Sequence, residues 1–260
     1  MKNNLKLIVI ILLFSLNSLN SNSAEKSEDL LNPGWSFKSF FGKFDRASLQ
    51  RGYQVYTEVC STCHSIKYLS YRNLYEPGGP EFSKEQAKII ASQFELTDGP
   101  NNDGEMFTRQ ARLSDSFVGP YANEKEATAA NGGAYPPDMS VLVKARQGGA
   151  SYIYSVLLGY EDPPEGMNLD DGVYYNKFMS GNNIMMAKPL FEGMVQYSDG
   201  TSATEEQMAK DVVTFLAWAA EPHLEIRHKI GFRAIIYLII ITVLVYFGMK
   251  KLWSRIETKV

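Results

Sequence analysis

Cysteine and histidine are scarce in this chain of 260 residues, which has two of the first and three of the second. Two cysteines exclude a disulfide-dense scaffold. A structural zinc site wants four ligands, usually in two pairs; the sequence has no second Cys-x-x-Cys, so that class falls away. Basic excess is also missing, since the formal net charge is −3. Between residues 25 and 224 the deficit deepens to about −10, with 27 Asp and Glu against 17 Lys and Arg. A field of that sign repels nucleic acid and would speed encounter with a basic partner.

Both cysteines and one histidine fall in a single run, Cys60-Ser61-Thr62-Cys63-His64. C-x-x-C-H reads as a c-type haem attachment site. Two thiols two residues apart can each add to one vinyl group on a haem edge, and the next residue can swing its imidazole under the iron as the proximal axial ligand. Three other readings compete. A thioredoxin-like dithiol would want a βαβ context, whereas the residues before the motif look helical. An isolated disulfide is the bland reading for two cysteines in an exported chain, and His64 argues against it. An exported, membrane-tethered thiol oxidoreductase is the rival from another functional class.

The two ends carry membrane-type signals. Lys2 and Lys6 precede the apolar run Leu7 to Phe14, and a polar stretch leads to Ala24, the pattern of a secretory signal peptide over residues 1–24. Near the other end, residues 230–249 are apolar apart from Arg233. At about 1.5 Å per residue they match the roughly 30 Å hydrocarbon core of a bilayer, so one transmembrane anchor is expected there. Flanking charge is nearly balanced, and the signal peptide sets the orientation: residues 25–224 form an exported domain, residues 250–260 a cytoplasmic tail. A bacterial inner-membrane protein with its haem domain on the periplasmic side follows from that reading.

Within the exported part, Asp45 is placed to cap a helix running to Val59 that delivers Cys60, and Gly52 in its middle suits a close helix crossing. Ser83 and Gln86 form a capping box for a helix to Glu95, and Thr204 with Gln207 forms another for a helix ending at Glu221-Pro222; the latter is the natural partner for Gly52. The run Asp98 to Gly104 reads as a solvated loop. Asp138 is expected to cap a short helix from Met139 to Arg146, stopped by Gly148-Gly149, and a second short helix spans Ser151 to Leu158. Short helices joined by Gly and Pro loops are how a small domain wraps a flat cofactor, and Arg146 becomes a candidate for a haem propionate. His223 and His228 lie beyond the wrap and are not expected to ligate.

If His64 is one axial ligand, methionine at the other gives a high-potential electron carrier. Met139 and Met208 sit at core-like spacing; Met185 and Met186 stand in an irregular, proline-stiffened loop ending at Pro189. The residues alone do not separate those two.

Several stretches together resemble the cytochrome c1 family, the haem subunits of ubiquinol:cytochrome c oxidoreductases. They are Arg51-Gly52-Tyr53-Gln54-Val55-Tyr56 running into Cys60 to Ser65, Asp98 to Asn101 with Gly104 to Phe107, Asn131 to Ser140, Lys144-Ala145-Arg146, Asp199-Gly200-Thr201, and Trp218 to Pro222. The resemblance implies a mostly α, cytochrome c-like haem domain with long loops, plus one C-terminal transmembrane helix. It implies one covalent haem c, selects Met186 as the second ligand because two residues and then proline follow it, and places Asn131, Pro137, Arg146 and Tyr152 around the haem. Methionine at 185 departs from the small residue usual in the family. The implied partners are cytochrome b, a Rieske iron–sulfur protein that donates the electron and a cytochrome c that accepts it, within a dimeric membrane complex and with no bond-making chemistry on this chain. The nearest alternative is a monohaem subunit of a terminal oxidase or nitric oxide reductase.

Overall fold

The computed structural model describes residues 29–257, so the expected signal peptide lies outside the described residues. Six α-helices appear among them, with two small two-stranded ribbons. They are α1 (Arg46–Glu58), α2 (Lys84–Ser92), α3 (Glu124–Ala130), α4 (Ala150–Leu158), α5 (Glu205–Ala220) and α6 (Leu224–Glu257). Strands β1 (Glu95–Asp98) and β2 (Phe107–Gln110) pair antiparallel, as do β3 (Tyr174–Tyr175) and β4 (Asn183–Ile184).

The core is built where α1 crosses α5. Asp45 caps α1 by accepting hydrogen bonds from the N–H groups of Ala47 and Ser48. Gly52 faces α5 so closely that a β-carbon there would lie 2.1 Å from the Asp211 carbonyl oxygen, which accounts for a helix-weakening residue in mid-helix. Beside the crossing, the fully buried Asp211 accepts from Ser48 Oγ at 2.6 Å, from Arg51 Nε at 2.8 Å and from Gln207 Nε2 at 3.0 Å. A buried carboxylate needs such partners. Gln207 therefore spends its side chain on Asp211, and the expected capping box is half made: Thr204 Oγ1 accepts from Gln207 N–H, the return bond being absent. Ser83 and Gln86 make both halves of theirs. Aromatic rings fill the remainder, with Tyr53 and Tyr56 of α1 against Phe215 of α5, and Tyr71 stacked on Phe117 at 4.5 Å.

Two expectations are corrected. Residues 139–146 are a chain of turns instead of a helix: the Leu142 and Lys144 N–H groups reach back three residues, to the Met139 and Val141 carbonyls, and the four-residue bond from Ala145 to Val141 is not continued. The helix expected to reach Glu95 ends at Ser92, and Glu95 begins β1, whose partner β2 turns the acidic 98–104 loop into a hairpin tip. Helix α4 starts one residue earlier than Ser151 and ends at Leu158 as expected.

Helix α6 has 34 residues, about 51 Å at the α-helical rise. Its apolar stretch has mean hydropathy 2.3, and none of it is buried by the rest of the chain; the expected span 230–249 sits inside it. The helix is tied to the domain by Glu225, which accepts from the Phe44 N–H at 3.0 Å and takes Arg46 in a fork at 2.9 and 3.0 Å.

Candidate functional site

Helix α1 ends at Glu58 and passes into a tight turn over Cys60–Thr62. The N–H groups of Cys63 and His64 both point to the Cys60 carbonyl, at 3.2 and 2.9 Å, while Ser61 and Thr62 hydroxyls bond back to Thr57 and Val59 carbonyls. One turn therefore carries both thiols and the imidazole. Both cysteines are free and half-buried. Burial, with Cys63 second, pushes the Cys60 thiol up to about 12. Reactive dithiols work by the opposite shift, a stabilised thiolate.

His64 Nδ1 lies 2.9 Å from the Pro137 carbonyl oxygen. A carbonyl can only accept, so Nδ1 is the protonated nitrogen and Nε2 keeps its lone pair. Burial lowers the His64 pKa, with the Pro137 bond opposing, and favours the neutral imidazole that a metal requires. The Pro137 carbonyl is positioned by its neighbour. Asp138 accepts from Ser65 Oγ at 2.8 Å, from the Lys67 N–H at 2.9 Å and from the Ser140 N–H at 2.9 Å. Tyr68 N–H adds a bond to Ser140 Oγ. Burial works against the Asp138 charge, yet these donors hold its carboxyl below the ordinary aspartate range. Asp138 thus stitches residues 137–140 to residues 64–68, a role that its reading as a helix cap did not contain. Nothing local in the sequence pairs Asp138 with Ser65 and Lys67, which lie about 70 residues away.

The methionine loop follows β4. Strand β4 is held to β3 by Tyr174 opposite Ile184 and Tyr175 opposite Asn183. The buried Asn176 then ties β3 to the end of α4 through Val156 C=O at 2.7 Å. Met186 is half-buried and packs against the hydrophobic core, whereas Met185 is 48% exposed. Tyr160 Oη donates to the Met186 carbonyl at 3.0 Å. Tyr160 also helps line a cleft of about 570 Å³ with Pro163, Tyr174, Tyr175 and Lys188.

Of the remaining expected residues, Asn131 ends α3 and donates to Tyr121 Oη at 3.0 Å and Ala127 C=O at 2.7 Å. Tyr152 donates to Met179 Sδ at 3.2 Å. Arg146 is exposed, bonded to the Ala145 carbonyl. His64 and Pro137 are in direct contact; no hydrogen bond joins Asn131, Arg146, Tyr152 or Met186 to them. Acidic side chains also gather in one short segment: Glu161, Asp162, Glu165, Asp170 and Asp171 are exposed, Glu161 and Asp162 line the Tyr160 cleft, and Glu161 pairs with Lys177. His223 is exposed and His228 lies within α6.

A family model for the cytochrome C1 family matches residues 35–256. Cytochrome b/c1 of Bradyrhizobium diazoefficiens is 46% identical over 260 residues, covering 92% of this chain; the chain spans only 38% of that protein. Cytochrome c1-1, heme protein, mitochondrial, of Solanum tuberosum is 44% identical over 239 residues, covering 92% of this chain and 74% of the relative. The corresponding Saccharomyces cerevisiae protein is 46% identical over 226 residues, covering 86% and 72%. The chain belongs to the cytochrome C1 family, and that membership implies a haem cofactor.

Proposed function

We propose that this chain is a membrane-anchored c-type cytochrome of a respiratory ubiquinol:cytochrome c oxidoreductase. It would stand beside cytochrome b and pass electrons from a Rieske iron–sulfur protein to a cytochrome c, with its domain on the periplasmic side of a bacterial inner membrane. The observation that carries the reading is the Cys60 to His64 turn with His64 Nδ1 bonded to the Pro137 carbonyl. That arrangement presents two thiols and one lone-pair nitrogen from five consecutive residues, the donor set a covalently attached haem needs. Relatives named as heme proteins and as a cytochrome b-c1 complex subunit support it.

When bound, the haem supplies a one-electron iron couple. The residues of this chain do the rest. Cys60 and Cys63 would anchor the macrocycle edge, and His64 would ligate through Nε2, its ring orientation fixed by Pro137 in the manner of an outer-shell carbonyl. Met186 would supply a thioether as a second donor, its backbone held by Tyr160; Met185, 48% exposed, lacks the packed seat. Asn131, Arg146 and Tyr152 would line the cofactor, with Arg146 free to meet a propionate. The acidic segment 161–171 would draw in a basic carrier for brief docking.

The test is denaturing electrophoresis of the full chain from a haem-competent host, stained for haem peroxidase activity. The expected result is a stained band at the chain's mass, lost completely in the Cys60→Ser, Cys63→Ser double variant. An unstained wild-type band overturns the proposal.

A further inference from the structure

Two phenylalanines stand at a place where the chemistry of turns does not put them. The Gly42 N–H donates to the Ser39 carbonyl at 2.8 Å, closing a turn whose two corner residues are Phe40 and Phe41. Turn corners ordinarily carry Gly, Asn, Asp, Ser or Pro. Here the rings are 72% and 59% exposed and meet edge to face at 4.7 Å. The turn is rigidly founded. A β-carbon on Gly42 would lie 2.4 Å from the Phe37 carbonyl oxygen, and Phe37 is buried between Trp35 and Phe44.

The turn also has a direction. Phe44 N–H is fixed to Glu225 at the top of α6, yet Phe41 touches Phe232, seven residues further along that helix, with ring centroids 5.4 Å apart. Seven residues are about 10 Å of helix, so the turn descends two helical turns along α6 toward its apolar stretch. Phe232 is itself 44% exposed and lies inside the run expected to enter the bilayer. Lys43, two residues from Phe41, and Arg233, next to Phe232, are both exposed, the pairing of apolar rings with cations that suits an anionic headgroup layer.

We infer that Phe40 and Phe41 form an aromatic wedge seated in the outer headgroup and acyl boundary of the same membrane that α6 crosses, a second lipid contact that fixes the tilt of the globular domain. The occupant of this patch is lipid because the patch is continuous, through Phe232, with the lipid-facing surface of α6. The inference rests on α6 spanning a membrane.

The test uses the full-length holoprotein, with its own cysteines carrying haem, in nanodiscs of phosphatidylcholine and phosphatidylglycerol. A nitroxide is placed in turn at Phe40→Cys, at Lys43→Cys, at Leu244→Cys in mid-span and at Tyr68→Cys on the exposed domain surface. The reading is the ratio of collision rates with oxygen and with a nickel chelate. The expected ratio at 40 is several-fold above that at 68 and below that at 244, with 43 between 40 and 68. A ratio at 40 equal to that at 68, while 244 reads deep, overturns the wedge alone. Low collision with both reagents at 40 means that protein covers the patch, and also overturns it. A water-like ratio at 244 overturns the membrane span itself, and the wedge with it.

Discussion

The two flanks of the candidate site are held in different ways. On the histidine flank, α1 delivers Cys60, α5 clamps α1 through Gly52 and Asp211, and Asp138 sews residues 137–140 onto residues 64–68 with two charge-assisted hydrogen bonds, from Ser65 and Lys67. On the methionine flank, a two-residue ribbon, Asn176, one Tyr160 hydroxyl, the Lys188–Glu205 ion pair and the buried Leu190 hold the loop. The first flank is over-determined and the second is lightly held. A ligand attached through neighbouring cysteines gains little from flexibility, whereas a thioether on a separate loop keeps its place only by packing and a few backbone bonds.

The largest expected effect breaks the lighter flank outright. Met186→Leu should abolish the low-spin, methionine-ligated visible spectrum of the holoprotein, while Met185→Leu should leave it intact; the reverse outcome would move the ligand to residue 185. Next in size, Asp138→Ala removes an acceptor from two backbone N–H groups and a hydroxyl, and should lower stability by about 2–4 kcal/mol, read as the denaturant midpoint of Soret absorbance. The effect has a pH signature. The folded Asp138 carboxyl sits below its ordinary value, so its contribution is complete above the unfolded pKa of about 3.9 and fades as pH falls through the lower folded value. The variant should lack that component of acid unfolding.

Smaller still, Tyr160→Phe deletes one hydrogen bond to the Met186 carbonyl and should cost about 1 kcal/mol. If its denaturant midpoint falls as far as that of Asp138→Ala, the contrast between the flanks is wrong. The mildest effect concerns docking. Raising ionic strength should slow electron transfer to a basic cytochrome c, because the acidic rim acts over a Debye length of about 8–10 Å; stopped-flow rates indifferent to salt would remove the steering role of residues 161–171.

Local signals were legible wherever a residue's task is local. Asp45 and Ser83 cap their helices, and the apolar run became α6, because caps and periodicity act within a few residues; Gly52 was legible only as a glycine out of place in mid-helix, its partner Asp211 lying far along the chain. The misread elements are those whose hydrogen bonds leave the segment. Residues 139–146 carry helix-compatible side chains, but they close into three-residue turns while Met139 is pinned to the Ser65 carbonyl, and no local pattern announces a partner about 70 residues away. The ribbons are equally unannounced: β3 and β4 have two residues each, too short for an alternating pattern to show.

By itself the sequence determined the chemistry available: two thiols and an imidazole in five residues, a methionine pair before a proline, an acid-rich stretch over residues 25–224 and an apolar end. Covalent spacing and composition set those properties, and both are written along the chain. Only the tertiary structure decided that Pro137 orients His64, that Asp138 locks the two segments together, that Met186 has a packed seat while Met185 faces solvent, and that Phe40 and Phe41 lie against α6. Each of these is a contact between residues far apart in sequence, so it exists only once packing has fixed the distance between them.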